Sequence, residues 1–343
     1  MCIRQIRKLK ESGFNAIRCA HNPTAPALLR ACDKVGMYVM DESFDIWTRH
    51  KSDYDYGMYF DEWWEADVQA MVKDAYNHPC VLMYSIGNEI PEIGTKQGGE
   101  ITREICEVIR SLDDTRYTLA SVNGIFSVGD KLGKIVEDVA KDLTAQGKID
   151  GNVNDFMAFM HTYMNDMTTH PIVDEVISVP FQYTDIAGYN YMGHRYDIEH
   201  ALHPERVIVG SESGIGDIAA DWASIQKHPY VIGDFCWTGW EYLGEAGIGM
   251  PNYSNGSNPF GNAQFPLQIS GTGCIDITGY RLPMSYYREI VFGLRKDPYI
   301  AVQDPAHYGE ELIRNPWIIS DAIGSWSWSA YTGKPVIVEV YSD

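Results

Sequence analysis

Seven short apolar runs, each set off by an amphipathic segment, constrain the fold of this 343-residue sequence more than any other feature. They occupy residues 15–19, 37–41, 80–86, 117–120, 186–189, 207–210 and 230–237. Helix-like spacing fills the intervals at 3–12, 26–34, 100–112, 131–143 and 285–292, and a long helix carries Trp63, Trp64, Val68 and Met71. Gly13, Gly36 and the pair His78-Pro79 stand where a helix must end before the next run begins. Short runs that are apolar throughout, alternating with helices, are the pattern of parallel strands connected by helical crossovers. The predicted fold class is α/β, and a (β/α)8 TIM barrel of roughly 250 residues plus an appendage suits this length better than two equal domains.

An eight-fold barrel begins with a strand, whereas the first element here is the helix at 3–12, so the barrel is expected to lack its first strand. At the other end, residues 334–341 alternate Val336, Val338 and Val340 with polar positions, as a β-sandwich strand does. A lone strand makes no domain. The expected organisation is therefore a barrel over 1–300, then a linker and the start of a C-terminal β-sandwich domain over 301–343, in an excerpt truncated at both ends. Unpaired edges invite self-association into a homo-oligomer or capture of another strand, and the terminal strand at 336–341 is one candidate to fill the gap. Residues 127–183 are long for one crossover and read as an insertion beside the cleft.

Composition excludes several partners. A net charge of −20 disfavours nucleic acid and anionic membranes, which need clustered Lys and Arg, while a neutral substrate is compatible with it. The 7 cysteines are odd in number and contain no C-x-x-C pair, which points to a reduced, cytoplasmic protein with no thiol metal site. No apolar stretch reaches the ~20 residues of a membrane span. Aromatic residues make up 12% of the chain, 9 of them Trp and 22 Tyr, which suits stacking against sugar faces as well as filling a large core.

Two acids end apolar runs: Glu89 in Ser85-Ile-Gly-Asn-Glu89 and Glu212 in Val207-Ile-Val-Gly-Ser-Glu212. On parallel strands of one barrel they would share a rim, as a retaining glycosidase requires of its acid/base and its nucleophile, whose carboxyl groups stand ~5 Å apart. Asn88 is placed to bind a sugar 2-hydroxyl, a contact that strengthens in the transition state. Taken alone, Glu89 reads equally well as a cap for the segment at Pro91. A carboxylate at the end of a buried strand, as at Glu212, is costly unless solvated, paired or functional.

The stretches Phe14-Asn-Ala-Ile-Arg18-Cys-Ala-His21-Asn22-Pro23, Met40-Asp41-Glu42, Asn77-His78-Pro79, Ser85-Ile-Gly-Asn88-Glu89 and Gly210-Ser-Glu212 together resemble the catalytic barrel of glycoside hydrolase family 2, the β-galactosidase and β-glucuronidase group. The resemblance spans residues 3–295. It implies Glu89 as acid/base and Glu212 as nucleophile. It also implies that Tyr191 bonds the nucleophile, that Trp237 forms the sugar-stacking floor, that His21 reaches substrate hydroxyls and that Arg18 holds the nucleophile's charge. Asp41 and Glu42 are expected to shape the site from beneath, with Asp41 counted among the substrate-binding residues. Without the resemblance, Tyr191 reads as a core tyrosine and His21 as a loop residue. Family β-glucuronidases carry an Asn-x-Lys element after the eighth strand. Residues 271–281 have no such Lys, so a neutral hexose, galactose first, is expected in a β-linked oligosaccharide or galactoside. Arg281 keeps a uronic acid substrate open. The family's upstream jelly-roll and immunoglobulin-like domains have no counterpart in this sequence. Some β-galactosidases of the family place Mg²⁺ near the acid/base; no full ligand set can be read here, and the chemistry requires no cofactor.

Overall fold

The computed structural model describes residues 1–149, 162–253 and 265–342, so the middle of the expected insertion lies outside the described residues. The chain divides into two compact units, one of Ala16–Ser211 with His228–Gly233 and one of Met1–Asn15, Glu212–Lys227 and Asp234–Asp343.

The first unit is built on strands β1 (Ala16–Arg18), β2 (Tyr38–Glu42), β3 (Val81–Asn88), β4 (Tyr117–Val122) and β5 (Ile186–Asn190), with most of β6 (Ile208–Ser213) and the first half of β7 (Val231–Cys236). These are the seven apolar runs, and they form one sheet in the order β1-β2-β3-β4-β5-β6-β7. From β1 to β5 each neighbouring pair is parallel, with Arg18 opposite Met40, Glu42 opposite Ser85 and Asn88 opposite Ser121. The crossovers include helices α2 (Pro26–Val35), α3 (Phe60–Ala75), α4 (Lys96–Leu112), α5 (Leu132–Ala145), α6 (Met164–Thr168), α7 (Pro171–Phe181) and α8 (Tyr196–Leu202). Strands in sequence order with helical crossovers are the TIM-barrel topology, and the C-terminal ends of β1 to β5 therefore fall on one rim.

Local chemistry sets the entries to the strands. Pro26 opens α2, and Gly36 at φ 75° closes it by donating to the Cys32 carbonyl, after which Met37 leads into β2. Arg116 ties the starts of β3 and β4 together, donating to the carbonyls of Val81, Tyr76 and His78. Beyond β2 the chain stays against β3: the Ser43 N–H donates to Ser85 O, and the Asn88 N–H to Phe44 O.

The second unit contains α1 (Cys2–Glu11), α9 (Ile218–Lys227), α10 (Pro283–Val291) and the strands β8 (Tyr299–Val302) and β9 (Val338–Tyr341). β8 and β9 pair antiparallel in a two-stranded sheet, Tyr299 opposite Tyr341. The terminal strand therefore does not fill a gap in the barrel; its edge is taken by β8. Tyr286 of α10 stacks on Tyr299 at 3.9 Å between ring centroids, fastening the helix to this small sheet.

Gly98, in the first turn of α4, lets the helix sit on the loop that follows Glu89. A Cβ there would lie 2.1 Å from the Glu92 carbonyl oxygen and 2.7 Å from Ile93 Cα. Because both obstacles are backbone, Gly98→Ala should destabilise the protein by about 1–3 kcal/mol despite alanine's better helix propensity, measured as a fall in denaturation midpoint.

Candidate active site

Arg18, Glu42, Asn88 and Asn190 are the last residues of β1, β2, β3 and β5. Ending four parallel strands on polar side chains gathers them on one rim, and the hub is the fully buried Glu42. Its Oε2 accepts from Arg18 Nε (3.1 Å), Arg18 Nη2 (2.7 Å) and Ser85 Oγ (2.6 Å). Its Oε1 lies 2.7 Å from His21 Nδ1. Burial alone would push this carboxyl up, but Arg18, His21 and Ser85 together outweigh it and hold the group at about 2.

The hub orients Asn88. Its Oδ1 accepts from Arg18 Nη2 (2.8 Å) and Asn190 Nδ2 (2.9 Å). Its Nδ2 donates to Asp45 Oδ1 (3.0 Å) and faces His21 Nε2 at 3.2 Å. A histidine that donates through Nδ1 to Glu42 keeps Nε2 as the acceptor for that amide, so both side chains are fixed in one sense. Arg18 also donates through Nη1 to the Ser211 carbonyl at 2.9 Å.

Glu89 follows with φ 46°, in the left-handed region that non-glycine residues rarely occupy. The conformation is held by its N–H donating to Ser121 O (2.8 Å) and by its Oε1 accepting from Asn123 Nδ2 (3.0 Å) and Asn190 Nδ2 (3.2 Å). Tyr191, directly after β5, is likewise left-handed, at φ 57°. Such strained residues cluster at functional sites, at a cost of roughly 1–3 kcal/mol each. A cavity of ≈ 540 Å³ adjoins the cluster, sharing His21 and Asp45 with it.

Of the residues singled out in the sequence, Arg18, His21, Asn88 and Glu89 thus fall within one bonded cluster. Asp41 does not join it. Strand alternation turns Asp41 away from its neighbour Glu42, and its Oδ1 accepts from Thr24 N (2.8 Å) and Thr24 Oγ1 (2.7 Å). It is Glu42 that takes Arg18 and His21. Asn190, Asn123 and Asp45 were missed, as was Lys51, whose ammonium donates to Asp45 Oδ1 (2.8 Å) and to the Asn88 carbonyl (3.0 Å). An amide directly after the apolar run at 186–189 was the available signal for Asn190; the loop residues gave none.

In the second unit, Glu212 lies on β6 and is buried. Trp237 directly follows β7 and donates from Nε1 to Tyr242 Oη at 3.2 Å, with the two rings edge to face. Glu241 accepts from the backbone N–H groups of Gly271 and Gly273, drawing the loop at 270–275 onto residues 238–241. Arg281 is committed to Glu289 (3.0 Å) and Ser285 and stacks over the Tyr286 ring. The uronate reading that rested on it loses its free guanidinium.

Among the described residues, one group of three side chains has metal-ligand spacing: Asp174, Glu199 and His203. Arg195 Nε, Arg206 Nη1 and Tyr189 Oη, each at 2.7 Å, already occupy the Glu199 carboxylate. Two guanidiniums make this an ion-pair network rather than a cation site.

A TIM-barrel sheet whose rim carries a buried Arg–Glu–His hub and a strained Asn-Glu pair defines a class of barrel with a polar site at its C-terminal strand ends. The family model "Glycosyl hydrolases family 2, TIM barrel domain" matches residues 1–175, just over half of the chain, and the chain belongs to that family. It is similar to β-galactosidase BoGH2A of Bacteroides ovatus, 27% identical over 330 residues that cover 82% of this chain and 35% of that protein. A solved family 2 member from Bacteroides cellulosilyticus superposes with TM-score 0.77 and 33% identity, over 99% of this chain and 38% of that one. The β-glucuronidase of Bacteroides uniformis shares the fold, with TM-score 0.56 and 17% identity over 88% of this chain and 33% of its own. The chain spans about a third or less of the length of the curated relatives it matches.

Glu42→Gln should cost about 3–5 kcal/mol, because it leaves the buried Arg18 charge unpaired. Glu42 falls from its ordinary 4.5 to about 2 in the folded state. The stability it contributes is therefore complete above pH 4.5 and is lost as pH falls toward 2. Denaturation of both proteins across that window checks this: the substituted protein should lack that part of the acid dependence.

Proposed function

We propose that this chain is the catalytic barrel of a retaining exo-β-glycosidase that removes terminal non-reducing β-D-galactosyl residues through a covalent glycosyl-enzyme. The observation that carries the reading is the Asn88-Glu89 pair at the end of β3. Its amide is oriented from four sides, and its carboxyl projects from a left-handed turn.

In this reading Glu212 attacks the anomeric carbon while Glu89 gives its proton to the departing glycosidic oxygen. Glu89 then takes a proton from water, which releases the sugar from Glu212. Arg18 and Tyr191 favour the ionised nucleophile, Asn88 binds the 2-hydroxyl, His21 a further hydroxyl, and Trp237 stacks on the apolar sugar face. Galactose is preferred to a uronic acid because residues 271–281 contain no lysine and Arg281 is engaged elsewhere. The name of the B. ovatus relative agrees with that choice. Residues 1–300 then form the barrel, and the antiparallel pair of β8 and β9 marks the onset of a β-rich domain. No helix among the described residues is long and apolar enough to cross a membrane; the cysteine pattern favours a cytoplasmic setting.

Hydrolysis of nitrophenyl β-galactoside, β-glucuronide and β-galacturonide tests the assignment. The galactoside should turn over fastest, and Glu212→Gln should abolish both turnover and labelling by a 2-fluorosugar. Glu89→Ala should slow deglycosylation by about 10²–10⁴-fold, with azide restoring turnover as a glycosyl azide. Equal activity of either variant and the parent would refute the roles.

A further inference from the structure

Asp45 stands where the bonded cluster meets the ≈ 540 Å³ cavity. Its Oδ1 accepts from Asn88 Nδ2 at 3.0 Å and from Lys51 Nζ at 2.8 Å. Its Oδ2 makes no hydrogen bond among the described residues, and the side chain is 43% exposed. A carboxylate accepts and never donates, so Asp45 requires the NH₂ end of Asn88 on its side and turns Oδ1 toward Arg18 and Asn190. The loop that presents it is itself secured: Trp47 Nε1 donates to Ile86 O, and the N–H groups of Thr48 and Arg49 donate to the buried Glu92.

The cavity falls within the ~300–1,000 Å³ usual for ligand pockets; it meets the cluster at His21 and Asp45 and runs from there toward Asp67, Met71 and Asp74 of α3, without reaching Asn88 or Glu89 themselves. Phe44 and Tyr56, stacked at 5.3 Å, give it an aromatic wall. Its charged lining is Asp41, Asp45, Asp55, Asp67 and Asp74, with no lysine or arginine. Three of these acids are already engaged: Asp41 by Thr24, Asp55 by His50 and the N–H groups of residues 51, 52 and 57, and Asp67 by Tyr56. Asp45 retains an oxygen for a ligand while touching Asn88. Lys51, the nearest cation, has its ammonium shared between Asp45 and the Asn88 carbonyl at 3.0 Å.

We infer that Asp45 is a specificity-determining residue: its unshared carboxylate oxygen receives a hydroxyl of a neutral sugar, and its charge rejects a uronate. The inference rests on the glycosidase reading above and names the substrate class of that same site. A hydroxyl pays little to approach a carboxylate and gains a charge-assisted hydrogen bond, whereas a substrate carboxylate meets like charge and leaves the acceptor unpaired. Together these are worth about tenfold or more in discrimination.

The test compares nitrophenyl β-galactoside with β-galacturonide, which differ in charge at C6, on the full chain and its Asp45→Asn and Asp45→Ala variants. The galactoside-to-galacturonide ratio of kcat/KM should fall at least about tenfold in both variants, with KM for the galactoside rising. If galacturonide turnover is too slow to follow, inhibition constants for free galactose and galacturonate give the same ratio. Because a ratio is insensitive to the fraction of folded enzyme, poor folding of a variant does not mimic the result. An unchanged ratio, with the parent chain labelled at Glu212 by a 2-fluorogalactoside, overturns this inference alone. Absence of labelling in the parent overturns the glycosidase reading and this inference with it. Loss of galacturonide binding in Lys51→Met, with the ratio unmoved in Asp45→Asn, would assign the lysine as a uronate clamp and also overturn it.

Discussion

A carboxylate with no access to water organises the rim of this barrel. Ionising Glu42 in the interior costs several kcal/mol in lost hydration, and the cost is met only if cation and hydroxyl partners arrive in good geometry. Those partners come from β1, β3 and the loop after β1: Arg18, Ser85 and His21. The requirement fixes register as well as charge. Glu42 lies opposite Ser85 across the β2–β3 pair, and slipping either strand by one residue would turn one of the two to the wrong face.

The same network passes orientation outward. Arg18 touches Glu42, Asn88 and the Ser211 carbonyl, so a single guanidinium links the ends of β1, β2 and β3 to Ser211 within β6. Its planar fork suits that role better than an ammonium would. Asn88 then has both ends of its amide assigned, and Asn190 bridges Asn88 to Glu89. The left-handed turn at Glu89 is kept in place by groups that are themselves fixed. That is how a strained backbone persists: the surroundings over-determine it.

Much of this was legible in the sequence, for identifiable reasons. Buried parallel strands are apolar on both faces, so all seven runs stood out, and Gly13, Gly36 and Pro79 marked their boundaries. The catalytic candidates were legible because they interrupt those runs with charge. Asp41 and Glu42 part at the level of facing: adjacent residues on a strand point oppositely, and two consecutive acids after an apolar run carry no sign of which one turns toward Arg18 and His21. Asp45 and Lys51 lie in a loop, and their contacts with Asn88 bridge 43 and 37 residues of sequence. No local pattern encodes such a meeting. Filling the open edge was one candidate for the terminal strand, because an open sheet edge attracts any strand equally well on paper; it pairs instead with β8, which is nearer in sequence.

Several carboxylates crowd these strand ends, and their surroundings separate what each can do. Glu42 is held ionised by Arg18 and His21, so it has no proton to give near neutrality. Asp41 is pushed up by burial but is tied to Thr24 through its N–H and its hydroxyl. Glu92 accepts from Thr48 and Arg49 and serves to hold a loop. Glu89 differs in kind. It directly follows β3, and two donors to its carboxyl, Asn123 and Asn190, are amides. An amide donates to a carboxylate without neutralising it, so these two contacts position the group. In the proposed mechanism an acid/base releases a proton in one step and regains it in the next, and amide donors suit that role better than the guanidinium that holds Glu42.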